Sequence, residues 1–249
     1  MVIKTIERKI PAIRLITDSV IDSKYKEKYN QDREKFRRLK NKYSGERCFL
    51  FGTGPSLKYM DLSVFKNEIT FGVNSLLWKD TGVEFNFFGL TGKNKKCLNG
   101  IFGKKESVLF LFRTAARMYF KEYPWLDNVI TLNTNGLILQ KKALPEDISK
   151  KVYGGGGTII VPCLQVCFYL GFKEVYLVGC DCSYSGDVHF KGNERIPFTG
   201  TKEKKHWAKV FKSYEILRRE FEKNNKKIYN STMGGNLEVF ERKNLEDIL

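Results

Sequence analysis

Acidic side chains are scarce here relative to basic ones: 28 Asp and Glu stand against 44 Lys and Arg, for a formal net charge of +16. That imbalance favours anionic partners such as nucleotides, anionic glycans, nucleic acid or a membrane surface, without choosing among them. No run of about 18 apolar residues is present to span a bilayer. Met1 to Thr17 is too charged, and too short of an apolar centre, to read as a secretory signal, so the expected location is the cytoplasm. Six cysteines (48, 97, 163, 167, 180 and 182) include no zinc-type C-x-x-C pair. Most lie in apolar runs and are expected to be reduced and buried rather than metal ligands. Histidine occurs only twice, at His189 and His206. No recognisable nucleic-acid-binding module is present, which leaves the charge as the sole argument for such a partner.

What is there is a chain of 249 residues, 42% hydrophobic and 14% aromatic, enough for one full core. It is organised around Cys48 to Leu57, Cys-Phe-Leu-Phe-Gly-Thr-Gly-Pro-Ser-Leu. Four apolar residues read as a buried strand, ended by Gly52, Gly54 and Pro55. Gly52 and Gly54 would leave backbone amides uncovered by any Cβ, Pro55 suits the first turn of a following helix, and Ser56 offers a hydroxyl. Such a turn could cradle phosphate. It lacks the third glycine of the dinucleotide fingerprint, where Leu57 stands, and the Lys-Ser/Thr pair of a P-loop, so a plain tight strand-to-helix turn is the alternative.

Ahead of this turn, Met1 to Arg14 is a basic lead, and Asp22 to Arg47 carries Tyr25, Tyr29, Phe36, Leu39 and Tyr43 at helical spacings. This predicts an amphipathic helix, either packed on the domain by its aromatic stripe or docking a basic face on anionic lipid. After it, Ile69 to Val73, Phe85 to Leu90, Val108 to Phe112 and Val129 to Leu132 read as strands. Asn74, at the tip of the first of these, occupies the position where open α/β sheets bind ligands, and is equally a local helix cap.

A second glycine turn, Tyr153-Gly-Gly-Gly-Gly-Thr158, precedes an apolar segment, Ile159 to Leu170, with Pro162 early and Gly171 closing. This predicts a buried helix whose N-terminus, with the amides of Gly156, Gly157 and Thr158, could accept an anion; a ligand-free hinge is the other reading. Glu174 to Gly179 is the clearest strand, and it runs into Asp181, Ser183, Tyr184 and His189. Polar groups of several catalytic types thus converge on one strand tip. No Asp-x-Asp metal clamp appears there. Lys191 to Lys205 reads as a loop able to act as a lid, followed by a long amphipathic helix carrying Trp207, Val210, Phe211, Tyr214, Leu217 and Phe221, with His206 in its first turn. Lys227 to Asn230 is a last short strand, and Leu237 to Leu249 a closing tail. Alternating strands and helices predict an α/β fold with a mostly parallel sheet, in which the tips after Phe51, Val73 and Val178 share one edge.

Gly52-Thr-Gly-Pro-Ser-Leu57 with Gly72-Val-Asn74, then the glycine turn before Leu170-Gly-Phe-Lys-Glu-Val-Tyr-Leu-Val-Gly-Cys-Asp181, resembles the bacterial sialyltransferases of glycosyltransferase family 42. The stretch Gly179 to Tyr184 with His189-Phe190, and the tail Ile228-Tyr-Asn-Ser-Thr232 with Leu237-Glu-Val-Phe240, is similar to a related group that includes flagellin-modifying glycosyltransferases and archaeal 6-hydroxymethylpterin pyrophosphokinases. The resemblance implies a single Rossmann-like, GT-A-like domain over residues 47–249 with a lid at about 185–205, preceded by a basic extension over 1–46. It implies a CMP-activated donor sugar, a glycan acceptor and no metal or other cofactor. Gly52, Thr53, Gly54, Pro55, Ser56 and Asn74 would border the nucleotide. Gly156, Gly157 and Thr158 would border the donor's carboxylate or phosphate, Tyr184 would steady the leaving phosphate, and a histidine at the lid, His206 or His189, would take the acceptor's proton; Ser183 is a further expected donor-binding residue and Asp181 a further expected catalytic one. The chain departs from the family at Thr53, where the first motif has Asn, at the glycine that replaces an arginine ahead of the Gly-Thr step, and by a gap before His206. A Mg²⁺-dependent pyrophosphokinase and a basic nucleic-acid binder are the alternatives. Peripheral docking at the inner membrane face through the N-terminal helix is a further expectation.

Overall fold

The computed structural model describes residues 23, 25–77, 81–91, 105–112, 115, 116, 118, 119, 126–137, 142–154, 157–183 and 200–249. Its frame is an eight-stranded sheet built from β1 (Arg47–Phe51), β2 (Thr70–Val73), β3 (Phe87–Leu90), β4 (Val108–Phe112), β5 (Val129–Leu132), β8 (Glu174–Val178), β9 (Lys227–Asn230) and β10 (Glu241–Arg242). The spatial order is β10-β9-β8-β1-β2-β3-β4-β5, and every pairing is parallel. A separate parallel pair joins β6 (Thr134–Leu137) to β7 (Val152–Gly154).

Parallel strands covered on both faces read as nearly continuous apolar runs, which is why Cys48–Phe51 and Val175–Val178 stood out. Alternate residues of these runs go to opposite cores. Cys48, Leu50, Val175 and Leu177 face a core shared with the helices α1 (Lys26–Arg37), α2 (Ile160–Leu170) and α3 (Gly200–Lys223). Phe49, Phe51, Tyr176 and Val178 face a second core with Leu57, Phe65, Phe88 and Tyr229.

The amphipathic helix of the basic lead is shorter than the Asp22-to-Arg47 pattern, because the chain turns from Arg38 to Gly45 before entering β1. It packs by its aromatic stripe. Phe36 is fully buried, 4.4 Å from the Tyr169 ring and edge-on to Phe110. Beside it the buried Asp32 carboxylate accepts hydrogen bonds from Thr131 N (2.8 Å) and Oγ1 (2.6 Å) and faces Lys35, while burial pushes its pKa up. No helix among the described residues is long and apolar enough to cross a membrane. The five described cysteines are free and buried. Desolvation raises the thiols of Cys48, Cys163, Cys180 and Cys182, as expected of apolar filler.

Three elements differ from their sequence reading. Residues 134–137 and Val152, which have no assignment from the sequence, form the β6–β7 pair together with Tyr153 and Gly154, which the sequence places at the opening of the second glycine turn, and the tail contributes the two-residue β10. The third difference is at α3, which begins at Gly200. Residues 200–205 are therefore helical rather than loop, and His206 stands in the second turn instead of the first.

Candidate functional site

The chain leaves β1 toward β2, β3, β4 and β5, then returns to place β8 on β1's other side. A ligand crevice in an open α/β sheet forms outside the strand carboxyl ends at such a reversal. Phe51 is in register with Val178, so the tips of β1 and β8 leave the sheet together.

The first glycine turn is held to the β8 tip by its own backbone. Gly52 N–H donates to Val178 O (2.7 Å) and Gly54 N–H to Gly179 O (2.9 Å). A Cβ at Gly52 would overlap Gly179 O, and one at Gly54 would overlap the Asp181 carboxylate. These glycines therefore permit close approach of two strand tips, and their amides are not the free phosphate donors that the sequence suggested. The Asp181 carboxylate accepts from Ser56 N (3.2 Å) and Ser56 Oγ (2.9 Å), so the Ser56 hydroxyl is also engaged, and Ser56 is buried behind the turn. Burial pushes the Asp181 pKa up, and the two bonds from Ser56 oppose that shift. The chain continues into a five-residue 3₁₀ turn, Pro55–Tyr59, with Pro55 at its start. Asn74 adopts a left-handed conformation (φ 45°), and its Oδ1 accepts from Thr91 N (3.2 Å), linking the tips of β2 and β3.

The opposite wall comes from α2 and α3. Gln165, fully buried, clamps β7 onto α2 by accepting from Tyr153 N (2.9 Å) and donating to Tyr153 O (2.7 Å). That clamp fixes where α2 begins. Ile159, its N-cap residue, supplies no capping side chain, and Thr158 Oγ1 accepts from Ile160 N (3.3 Å). Gly157 has φ 113°, and a Cβ there would lie 2.5 Å from His206 Cε1. The imidazole thus rests directly on the second glycine turn, with the Trp207 ring edge-on at 4.8 Å. Burial lowers the His206 pKa below 6.5, Lys209 adds to the effect, and Glu203 opposes it. Tyr214, two helical turns further along α3, is buried with its hydroxyl bonded to Thr158, and desolvation raises its pKa.

These walls enclose a cleft of about 210 Å³. From the first turn it is lined by Gly52, Thr53, Gly54 and Pro55, and from the neighbouring tips by Asn74, Asp181 and Ser183. From the other wall come Gly157, Thr158 and His206. Of the remaining expected site residues, Gly156, Tyr184 and His189 lie outside the described residues. Trp207, Tyr214 and Thr91 also line the cleft and were missed. The first two registered only as members of an apolar helical stripe, and nothing local marks Thr91. Among the described residues no group of three or more His, Cys, Asp or Glu side chains is placed to hold a metal ion.

No family model and no curated relative matches the chain. Solved structures do. The sialyltransferase CstII from Campylobacter jejuni, solved in complex with a substrate analogue and described with cytidine-5'-monophosphate, is similar at TM-score 0.51 and 16% identity, over 80% of this chain and 85% of that one. A substituted CST-II in complex with CMP matches at TM-score 0.49 and 15% identity, over 79% and 86% of the two chains. The likeness is one of fold: a Rossmann-like α/β domain with a parallel sheet.

Proposed function

We propose that this chain is a glycosyltransferase of the sialyltransferase kind, which moves a nonulosonic acid or related sugar from a CMP-activated donor to a glycan hydroxyl without a metal. The observation that carries the reading is the seating of His206 against Gly157 across the cleft from the β1 turn, on a fold shared with a sialyltransferase solved with CMP.

Expulsion of CMP from a tertiary anomeric carbon passes through a cation-like transition state. The protein must then supply a base at the acceptor hydroxyl and donors for the growing phosphate charge. The lowered pKa keeps His206 neutral at physiological pH, with a ring nitrogen able to take the acceptor's proton, and a helix places that ring more firmly than a loop would. In this reading the phosphate meets the N-terminus of α2, where the helix dipole favours negative charge beside the Thr158 hydroxyl, and not the amides of Gly52 and Gly54. Thr53, Asn74 and Ser183 then border the nucleoside. Asp181 acts as a brace that holds Ser56 and the turn, so its role is positional. The excess of basic residues suits an anionic donor.

A thermal-shift panel of CMP, UDP, GDP and ATP, each with and without Mg²⁺, tests the reading. Stabilisation by CMP in the absence of metal supports it. A response confined to ATP with Mg²⁺ would transfer the assignment to a pyrophosphokinase.

A further inference from the structure

The large apolar side chains left exposed among the described residues are Tyr59 (75%), Met233 (57%), Val64 (47%) and Leu249 (44%). They are not scattered. All four line one groove of about 700 Å³ at the β9–β10 end of the sheet. Scattered singly, such residues need no explanation; gathered in one concavity they mark an interaction surface. The groove lies apart from the catalytic cleft, beyond the Pro55–Tyr59 turn, whose first residue lines the cleft and whose last lines the groove.

Two more observations point the same way. Ser231 lines the groove, is 6% exposed, and its Oγ is buried with no hydrogen-bond partner. A buried hydroxyl without a partner costs free energy that a polar atom from an incoming surface would recover. The groove is also charge-balanced, with Asp61 and Glu246 against Arg242 and Lys243, on a chain whose net charge is +16. An acidic partner would gain most from the basic surface elsewhere. With both signs on one rim, the same patch on another copy of the chain offers each charged group its opposite, and the bulk positive charge is absent at the point of contact.

The rim is preset for such a contact. The Arg242 guanidinium is fixed by Glu238 and by the carbonyls of Thr232, Gly234 and Gly235, the Asp61 carboxylate by Ser63, and Lys243 Nζ lies 4.1 Å from the Tyr229 ring centroid. β10, two residues long, is the edge strand here. We infer that this groove is a self-complementary interface through which two copies of the chain associate about a two-fold axis, each projecting Tyr59 and Met233 into the other's groove. In such an isologous contact the same patch serves both copies, so acid and base on one rim meet base and acid on the other.

Sedimentation velocity of the full chain across a dilution series tests this, with Tyr59→Arg, Met233→Glu and, as a control remote from the groove, Lys150→Glu. The expected result is an assembly containing an even number of copies. Tyr59→Arg and Met233→Glu should each weaken association at least tenfold, while Lys150→Glu and the melting temperature hold. Ser231→Ala should weaken it by a smaller factor. A wild-type chain that stays monomeric throughout, or an assembly that survives both groove substitutions, would overturn the inference. Neither outcome bears on CMP binding, so this interface and the proposed activity fail separately.

Discussion

The two glycine turns that flank the cleft look alike in sequence and do different jobs. In the first, both glycine amides and the Ser56 hydroxyl are consumed by the β8 tip, and the absent Cβ atoms make room for Gly179 O and the Asp181 carboxylate. It is a joint between two strands. In the second, Gly157 makes room for a side chain, the His206 imidazole, at the start of a helix whose first amide is met by Thr158 Oγ1. It is a seat for an imidazole. A glycine near a cleft therefore carries no single meaning: what its Cβ would have met decides whether it serves packing or a reacting group.

The comparison can be broken most sharply at the second turn. His206→Gln should cost roughly 10²–10⁴-fold in transfer to a glycan acceptor, the usual worth of a general base, while stabilisation by CMP persists in a thermal shift. Equal loss of both would move His206 from base to nucleotide contact. At the first turn the expected effect is on folding. Gly54→Ala drives a Cβ into Asp181 and should destabilise by about 2–4 kcal/mol, read as a drop of roughly 5–15 °C in Tm for a domain of this size. Combining it with Asp181→Ala should recover only part, because Gly179 O would still lie 2.7 Å from the new Cβ. Full recovery would show that the carboxylate is the whole obstacle.

Much of this architecture was legible beforehand. Cys48–Phe51 and Glu174–Val178 announced themselves because strands covered on both faces are apolar throughout, and the tips they end on do share one edge. The start of α3 was hidden because Gly-Thr-Lys-Glu-Lys-Lys at 200–205 has no apolar member, so the helical period becomes visible only at Trp207. β6 (Thr-Asn-Gly-Leu), β7 (Val-Tyr-Gly) and β10 (Glu-Arg) lack the continuous apolar run that marks β1 and β8. The role of Asp181 was out of reach for another reason. Its partner Ser56 is 125 positions away, and only the register of β1 with β8 brings them together.

Two smaller effects sharpen the contrast. Burial and Lys209 hold the His206 pKa below 6.5, and the base works deprotonated, so kcat/KM should stay flat through neutrality and fall only when acidified past that value. Lys209→Ala removes a like charge, which should move the fall to higher pH; no movement would mean that His206 is not the titrating group. Ser56→Ala takes one of two bonds from the Asp181 carboxylate and should cost about 1 kcal/mol, with little change in transfer.

The central claim is that one cleft, walled by both turns, receives a cytidine nucleotide. An NMR titration of the chain with CMP, without added metal, tests it most directly. The account expects amide shifts concentrated at Thr53, Asn74, Thr158, Ser183 and His206. An absence of saturable shifts, or shifts centred on the β9–β10 groove, would contradict it.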